Sequence, residues 1–424
     1  MSGLGSLSID APRGWLDRER VRLYCAILLA LEIAVFLFMA AGTHGLIVPL
    51  ANPTSTDFVS FYAAGSLADA GTPQLAYDRA AHYAAEERAA APGIDYNFFY
   101  YPPPFLLLCA VLAHLPHITA FVIFESASLL LYLFVARRIL GDRDRAMLVC
   151  LLAFPPVLWT IGLGQNALLT AGLLGAATLL VDRRPALAGL LFGALCYKPH
   201  FGLLVPVALA AGGHWRAFAT AFLSAAALCL LSLAVFGWET WRDYLAAAAA
   251  SPAIYQSGHI SFSGFVNPFG GVLLLGGTPM MAYAAQGATI LAAGLLVGYV
   301  WHARLPLPIR AATLATATLA AAPIVLFYDL MLAAIAALWL LRDGETYRLA
   351  EWEKMALAAL FLLTLNPRSV SEMTQLPIGP LITLGFAAFV AAHVVRARTT
   401  AARGVSGKPV PLPVASLRFA RGGQ

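Results

Sequence analysis

The chain has 424 residues, of which 60% are hydrophobic and 12% charged, with a net charge of +5. So much hydrocarbon excludes a soluble globular domain. The positive balance does not indicate nucleic acid either, because the basic residues stand in small groups at the ends of apolar runs instead of forming one patch.

Apolar runs of about 13 to 22 residues follow one another from Leu23 to Val395, and only helices satisfy their own backbone in lipid. They predict an all-α polytopic membrane protein of roughly 12 transmembrane helices. Residues 1–22, with Arg13, Arg18, Arg20 and Arg22, read as a cytoplasmic segment ahead of a first span too long for a signal-peptide core. The positive-inside rule then places the groups around Arg137, Arg183, Arg216, Arg304, Arg342 and Arg396 on the cytoplasmic side. Only Arg79, Arg88, Lys198, Arg242 and Arg368 are left outside. One transmembrane unit is expected over 23–396, with outer loops at 43–101 and 238–267, followed by a flexible cytoplasmic tail at 397–424. Within it, 102–115 reads as a short piece before one full span, and Phe269–Leu275 as a dip instead of a crossing. All five cysteines lie inside apolar runs without C-x-x-C spacing, so they read as packing residues.

The first outer loop opens with "TDFVSFYAAG", Thr56–Gly65. The pattern predicts an interfacial helix over Asp57–Ala70, lying along the membrane, with a second helical piece near Arg79–Ala90. Asp57 suits the positive end of the first helix as a cap, and equally suits proton abstraction. "YNFFYYPPPF", Tyr96–Phe105, reads as an aromatic belt with a stiff helix start, or as the wall of a lipid or sugar groove that includes Tyr101. Gln165 and Asn166 sit at the hairpin tip "GQN". In "YKPH", Lys198 and His200 lie between apolar runs, where a lone charge costs a few kcal/mol without a partner. Gln256 and His259 belong to a polar, aromatic loop. Asp329 begins an apolar run and needs a cationic or hydroxyl partner. Alternation of the spans puts all of these on the outer side. No H-E-x-x-H, P-loop, G-x-G-x-x-G or Cys/His cluster appears, and no metal site is expected.

Sugar transfer from a lipid-phosphate donor to a hydroxyl needs a carboxylate for the acceptor proton, cations for the leaving phosphate and polar groups for the sugar. Asp57 fits the first. Lys198, His200, His259 and Arg368 fit the second, and Gln165, Asn166, Tyr62, Tyr101, Gln256 and Asp329 fit the third. The order "DFVSFYAAG", "YDRA", "YYPPPF", "GQNALLTAGLL", "RRPALAGLLFGALCYKPHFGLLVPVAL" and "HWRAF" resembles glycosyltransferase family 87, from about residue 20 to about residue 395. The resemblance implies a GT-C-type bundle with interfacial helices in the first outer loop. It also implies an inverting transfer, with Asp57 as general base, from a polyprenyl-phosphate-linked sugar, mannose being the family's usual one. The acceptor would be a glycolipid or glycan at the outer face of a bacterial inner membrane. No cofactor, obligatory metal or nucleic acid is implied; the partners are the donor, the acceptor and membrane lipids. The family's Lys-x-x-Pro-like element appears compressed, as Lys198-Pro199-His200. A multi-pass transporter or flippase is the competing reading, since broken helices with polar residues also occur there.

Overall fold

The computed structural model describes residues 17–41, 48–49, 53–54, 56–141, 147–256, 261–343 and 349–402. Helix α1 (Arg18–Ala41) is followed by a two-rung antiparallel ladder pairing Val48 with Thr54 and Pro49 with Pro53. The first loop then forms α2 (Phe58–Asp69), a 3₁₀ turn (Pro73–Tyr77) and α3 (Arg79–Ala89). The chain continues through α4 (Pro103–Ala113), α5 (His117–Leu140), α6 (Met147–Leu152), α7 (Pro155–Leu163), α8 (Ala167–Leu180), α9 (Pro185–Ala194) and α10 (Val205–Ala211). Next come α11 (Trp215–Gln256), broken at Gly237, then α12 (Pro268–Leu274), α13 (Pro279–His302) and α14 (Leu307–Ala321). The last four are α15 (Met331–Asp343), α16 (Glu351–Leu363), α17 (Pro367–Thr374) and α18 (Ile378–Ala402).

The helices begin where proline lets them. Proline stands in the first turn of α4, α7, α9, α10, α12, α13, α14 and α17, where its missing N–H costs nothing and its fixed φ suits the helix. The same prolines divide the hydrocarbon into short pieces. Among the described residues, five helices are long and apolar enough to cross a bilayer: Glu19–Phe38, His117–Leu140, Trp215–Ala250, Pro279–His302 and Ile378–Thr399. Shorter apolar helices such as Ala167–Leu180 rise about 20 Å, against about 30 Å of hydrocarbon. The count of roughly twelve takes most of these shorter apolar runs as crossings too. Helix α4 has 11 residues, α5 has 24 and α12 has seven.

Helix α2 departs from its pattern. Expected to lie flat with one polar side, it is buried at Phe58, Val59, Ser60, Phe61, Ala63, Ala64, Gly65 and Leu67, nearly all round. Phe58 packs edge-on against Phe121 at 5.5 Å, and Phe61 against Phe105 at 5.0 Å, contacts worth about 0.5–1.5 kcal/mol each beyond area burial. Gly65 permits the approach of α4, since a Cβ there would lie 2.1 Å from the Cys109 carbonyl oxygen.

The core of the bundle is the pair α14 and α15. From Ile309 to Ala321, every residue of α14 is buried. At one end of the bundle, Arg310 pairs with Asp182 at 2.6 Å and meets His214, while Arg342 donates to the Ile139 carbonyl. These turns are ones that the distribution of basic residues assigns to one side. At the other end of α8 and α14 lie Gln165, Asn166 and Asp329.

Candidate active site

Asp57 holds the N-cap position of α2 but has helical φ and ψ of −60° and −17°, whereas a capping residue normally has extended values, and its side chain bonds no backbone N–H. The capping role expected of it is therefore unfilled. The carboxylate instead meets the tip between α7 and α8, where Gln165 Nε2 donates to Oδ2 at 2.8 Å. The other end of that amide, Oε1, accepts from the Tyr101 hydroxyl at 3.4 Å, which fixes which way the amide points. Asn166, next in the chain, is fully buried and adjoins Tyr101, but neither Oδ1 nor Nδ2 makes a well-aligned hydrogen bond.

Gly164 makes this tip possible. It ends α7 in the left-handed region, with φ 70° and ψ 42°, and a Cβ on it would sit 2.5 Å from Phe58 Cβ. Gly164→Ala is expected to strain the turn and push the tip off α2. Thermal unfolding should show a loss of about 1–3 kcal/mol, and turnover should fall with it as Gln165 leaves Asp57.

Lys198 lies between two 3₁₀ turns, Leu195–Tyr197 and Pro199–Gly202, and Asp329 lies in a third, Phe327–Leu330. The two residues for which a partner was expected are each other's: Lys198 Nζ donates to Asp329 Oδ1 at 3.0 Å, and both are buried. Asp329 Oδ2 accepts the Leu326 N–H at 3.2 Å. The ammonium also faces the rings of Tyr101, Phe201 and Tyr328, at 5.9, 5.2 and 5.6 Å from their centroids. Tyr101 thus touches both halves of the site, the Asp57–Gln165 pair through its hydroxyl and the Lys198–Asp329 pair through its ring.

The family model of glycosyltransferase family 87 matches residues 99–328, more than half of the chain. The chain belongs to glycosyltransferase family 87. No curated protein and no solved structure matches it. The segment matched by family 87 contains Tyr101, Gln165, Asn166 and Lys198; it begins after Asp57 and ends one residue before Asp329. Family 87 membership makes this membrane protein a glycosyltransferase, and the transporter reading falls away.

The other candidate residues of this family 87 chain divide. Arg368, on α17, is exposed and donates to Glu372 at 3.0 Å; Glu372 also accepts from Ser263, joining α17 to the 3₁₀ turn Phe262–Gly264. Its charge nonetheless reaches Asp57. Burial pushes the Asp57 carboxyl above its ordinary range, against the pull of the Gln165 hydrogen bond and the Arg368 charge. Tyr62 is not brought to the site, because its hydroxyl is spent on the Leu115 carbonyl at 2.9 Å. His200 is half-buried and packs against the Phe201 ring. Gln256 ends α11, its side chain undescribed, and His259 lies outside the described residues. Among the described residues, no three His, Cys, Asp or Glu side chains gather as a metal site would require.

Two residues behind Asp57 carry no signal in the sequence. His82 and Glu86 stand four apart on α3 in "RAAHYAAEERA", which reads as a solvated helix, yet both are fully buried. His82 Nε2 lies 3.1 Å from the Ser60 carbonyl, in the first turn of α2, and Glu86 accepts the Asn97 N–H. Burial lowers His82 to about 4 and raises Glu86 to about 8, the latter helped by the charge of Asp57, so both are neutral at pH 7. They brace the helix that presents Asp57 without adding a competing charge.

Proposed function

We propose that this glycosyltransferase is an inverting enzyme of the GT-C type that moves a sugar, mannose in the first instance, from a polyprenyl-phosphate donor to an acceptor hydroxyl. The acceptor is a glycolipid or glycan, and the reaction takes place at the outer face of a bacterial inner membrane. One observation carries the reading: a desolvated carboxylate, Asp57, is held by the Gln165 amide one aromatic ring away from a buried ammonium, Lys198.

In the step proposed, the acceptor oxygen attacks the anomeric carbon as Asp57 takes its proton. The bond from that carbon to the donor phosphate breaks, and the phosphate leaves with the electron pair. Gln165 occupies Oδ2, which leaves Oδ1 for the proton. Asp329 uses one of the three N–H donors of Lys198, and the others serve the leaving phosphate together with Arg368. The buried amide of Asn166, beside Tyr101 but without a well-aligned hydrogen bond, suits a sugar hydroxyl, since an unmet buried amide costs about 1–3 kcal/mol. Wild-type protein in liposomes, supplied with polyprenyl-phosphate mannose and a glycolipid acceptor, is expected to release polyprenyl phosphate. Transfer from a nucleotide sugar but not from this donor would overturn the reading.

The raised pKa of Asp57 has a definite sign. The base works only when deprotonated, so activity falls as pH drops through its pKa, and the acid limb of kcat/KM is expected above the ordinary carboxylate range. Gln165→Ala removes a hydrogen bond that favours the charged form. The limb should then move to still higher pH, whereas an unmoved limb would mean that another group controls it.

A further inference from the structure

The end of the bundle away from Asp57 is made by three turns that meet, 181–184 after α8, 212–214 after α10 and 303–306 after α13. Arg310, in the first turn of α14, ties them together. Its guanidinium donates to Asp182 at 2.6 Å and to the Leu305 carbonyl at 2.9 Å, and lies 3.1 Å from His214 Nε2. Asp182 is spent in this hub, since its second oxygen faces His214 at 3.6 Å. Four more arginines stand on the same turns or directly beside them: Arg183, Arg184, Arg216 and Arg304. All four are exposed, and among the described residues none of them has an ion-pair partner. Arg304 holds φ at 49°, a conformation uncommon outside glycine, and a Cβ on Gly213 would lie 4.0 Å from its Nη2, so its side chain reaches across to the turn before α11.

Helices α9 and α11 run side by side in the same direction. A Cβ on Gly189 would lie 2.3 Å from the Ala217 carbonyl oxygen and one on Gly193 2.4 Å from that of Ala221, the same four-residue step on both helices. Arg184, just before α9, and Arg216, in the first turn of α11, therefore stand within about one turn of each other along the axis. The helix macrodipole favours Arg183 and Arg304, which follow α8 and α13, but it disfavours a cation at the start of α9 or α11, so these two are not placed for their own helices. Exposed rings stand at the same level: Trp215 beside Arg216, and Tyr299, in the last turn of α13, under the Arg398 guanidinium at 5.1 Å. Such rings mark the headgroup layer of a bilayer. One or two turns deeper the surface is hydrocarbon, with Leu187, Leu190, Phe222 and Leu295 exposed. A soluble polyanion would meet the guanidinia and leave this hydrocarbon bare; a phospholipid covers both.

We infer that Arg183, Arg184, Arg216 and Arg304 hold the headgroup of an anionic phospholipid with two phosphates, its acyl chains lying along α9 and α11. Basic pockets between membrane helices take headgroups of this kind, and four free guanidinia outnumber the single charge of one phosphodiester. The site is separate from the one around Asp57 and does not depend on sugar transfer.

The test is native mass spectrometry of the full chain in detergent micelles, titrated with cardiolipin, phosphatidylglycerol or phosphatidylcholine. Wild type is expected to hold one cardiolipin about ten-fold more tightly than phosphatidylglycerol, and phosphatidylcholine more weakly still. Arg184→Gln with Arg304→Gln should weaken cardiolipin by about ten- to thirty-fold. Arg137→Gln with Arg138→Gln removes the same charge from the end of α5 and should leave binding unchanged. Equal losses in the two variants would mean that the lipid answers only to net charge, and would overturn the site, as would a wild type that does not prefer cardiolipin to phosphatidylcholine. Displacement of the lipid by an equal concentration of inorganic pyrophosphate would also overturn it, in favour of a free diphosphate. Thermal unfolding guards against a folding defect: without lipid the Arg184→Gln, Arg304→Gln protein should unfold at the wild-type temperature, because neither residue has an ion pair to lose. Cardiolipin should then raise the unfolding temperature of wild type alone, and an equal rise in the variant counts against the inference.

Discussion

Asp57→Asn is expected to lower kcat by about 10²–10⁴-fold, the usual loss when a general base is removed, with little change in thermal stability. The substitution is nearly isosteric, and the amide it creates can turn its carbonyl oxygen to the Gln165 Nε2 that now serves Oδ2 at 2.8 Å. Because Asp57 bonds no backbone N–H of α2, no helix cap is lost. Single-turnover transfer from polyprenyl-phosphate mannose, measured beside thermal unfolding of the same preparation, separates the two effects. Turnover within a factor of a few of wild type would remove Asp57 from the mechanism.

The second large effect is expected at Lys198. Lys198→Met leaves Asp329 buried without its cation, and breaking a buried pair in this way costs about 3–5 kcal/mol. The double variant Lys198→Met with Asp329→Asn removes both charges and keeps an acceptor for the Leu326 N–H, so stability should return close to wild type. Transfer should not return, because the ammonium proposed to meet the leaving phosphate is still missing. Recovery of both stability and transfer would confine Lys198 to holding Asp329, and the phosphate would then need another cation.

Much of this arrangement was legible in the sequence, and the reasons are physical. Alternation of apolar runs with basic turns placed Asp57, Gln165, Lys198, Asp329 and Arg368 on one side, and the structure gathers them at one end of the bundle. A buried charge must have a partner, so Lys198 and Asp329 were each marked as incomplete; which residue completed which was a matter of folding across 131 positions, invisible to local pattern. Of the two roles open to Asp57, the cap hydrogen bond is not made, and local pattern does not separate them, because an acidic residue at a helix start has the same signature whether its side chain turns to its own helix or to another. His82 and Glu86 were missed for a related reason, since an amphipathic-looking stretch conceals burial imposed by neighbours. Proline shortened helices that hydropathy alone treats as full crossings.

The long separation within the Lys198–Asp329 pair also sets a timetable for biogenesis. At about 5–20 residues per second, a ribosome needs roughly 7 to 26 s to travel from one member of the pair to the other. During that interval the nascent amino-terminal half holds an ammonium among apolar segments with its carboxylate not yet synthesised, at a standing cost of a few kcal/mol. The arrival of Asp329 is therefore the moment at which Lys198 first meets its carboxylate, whereas buried Glu353 comes later still and waits a further 43 residues for Arg396.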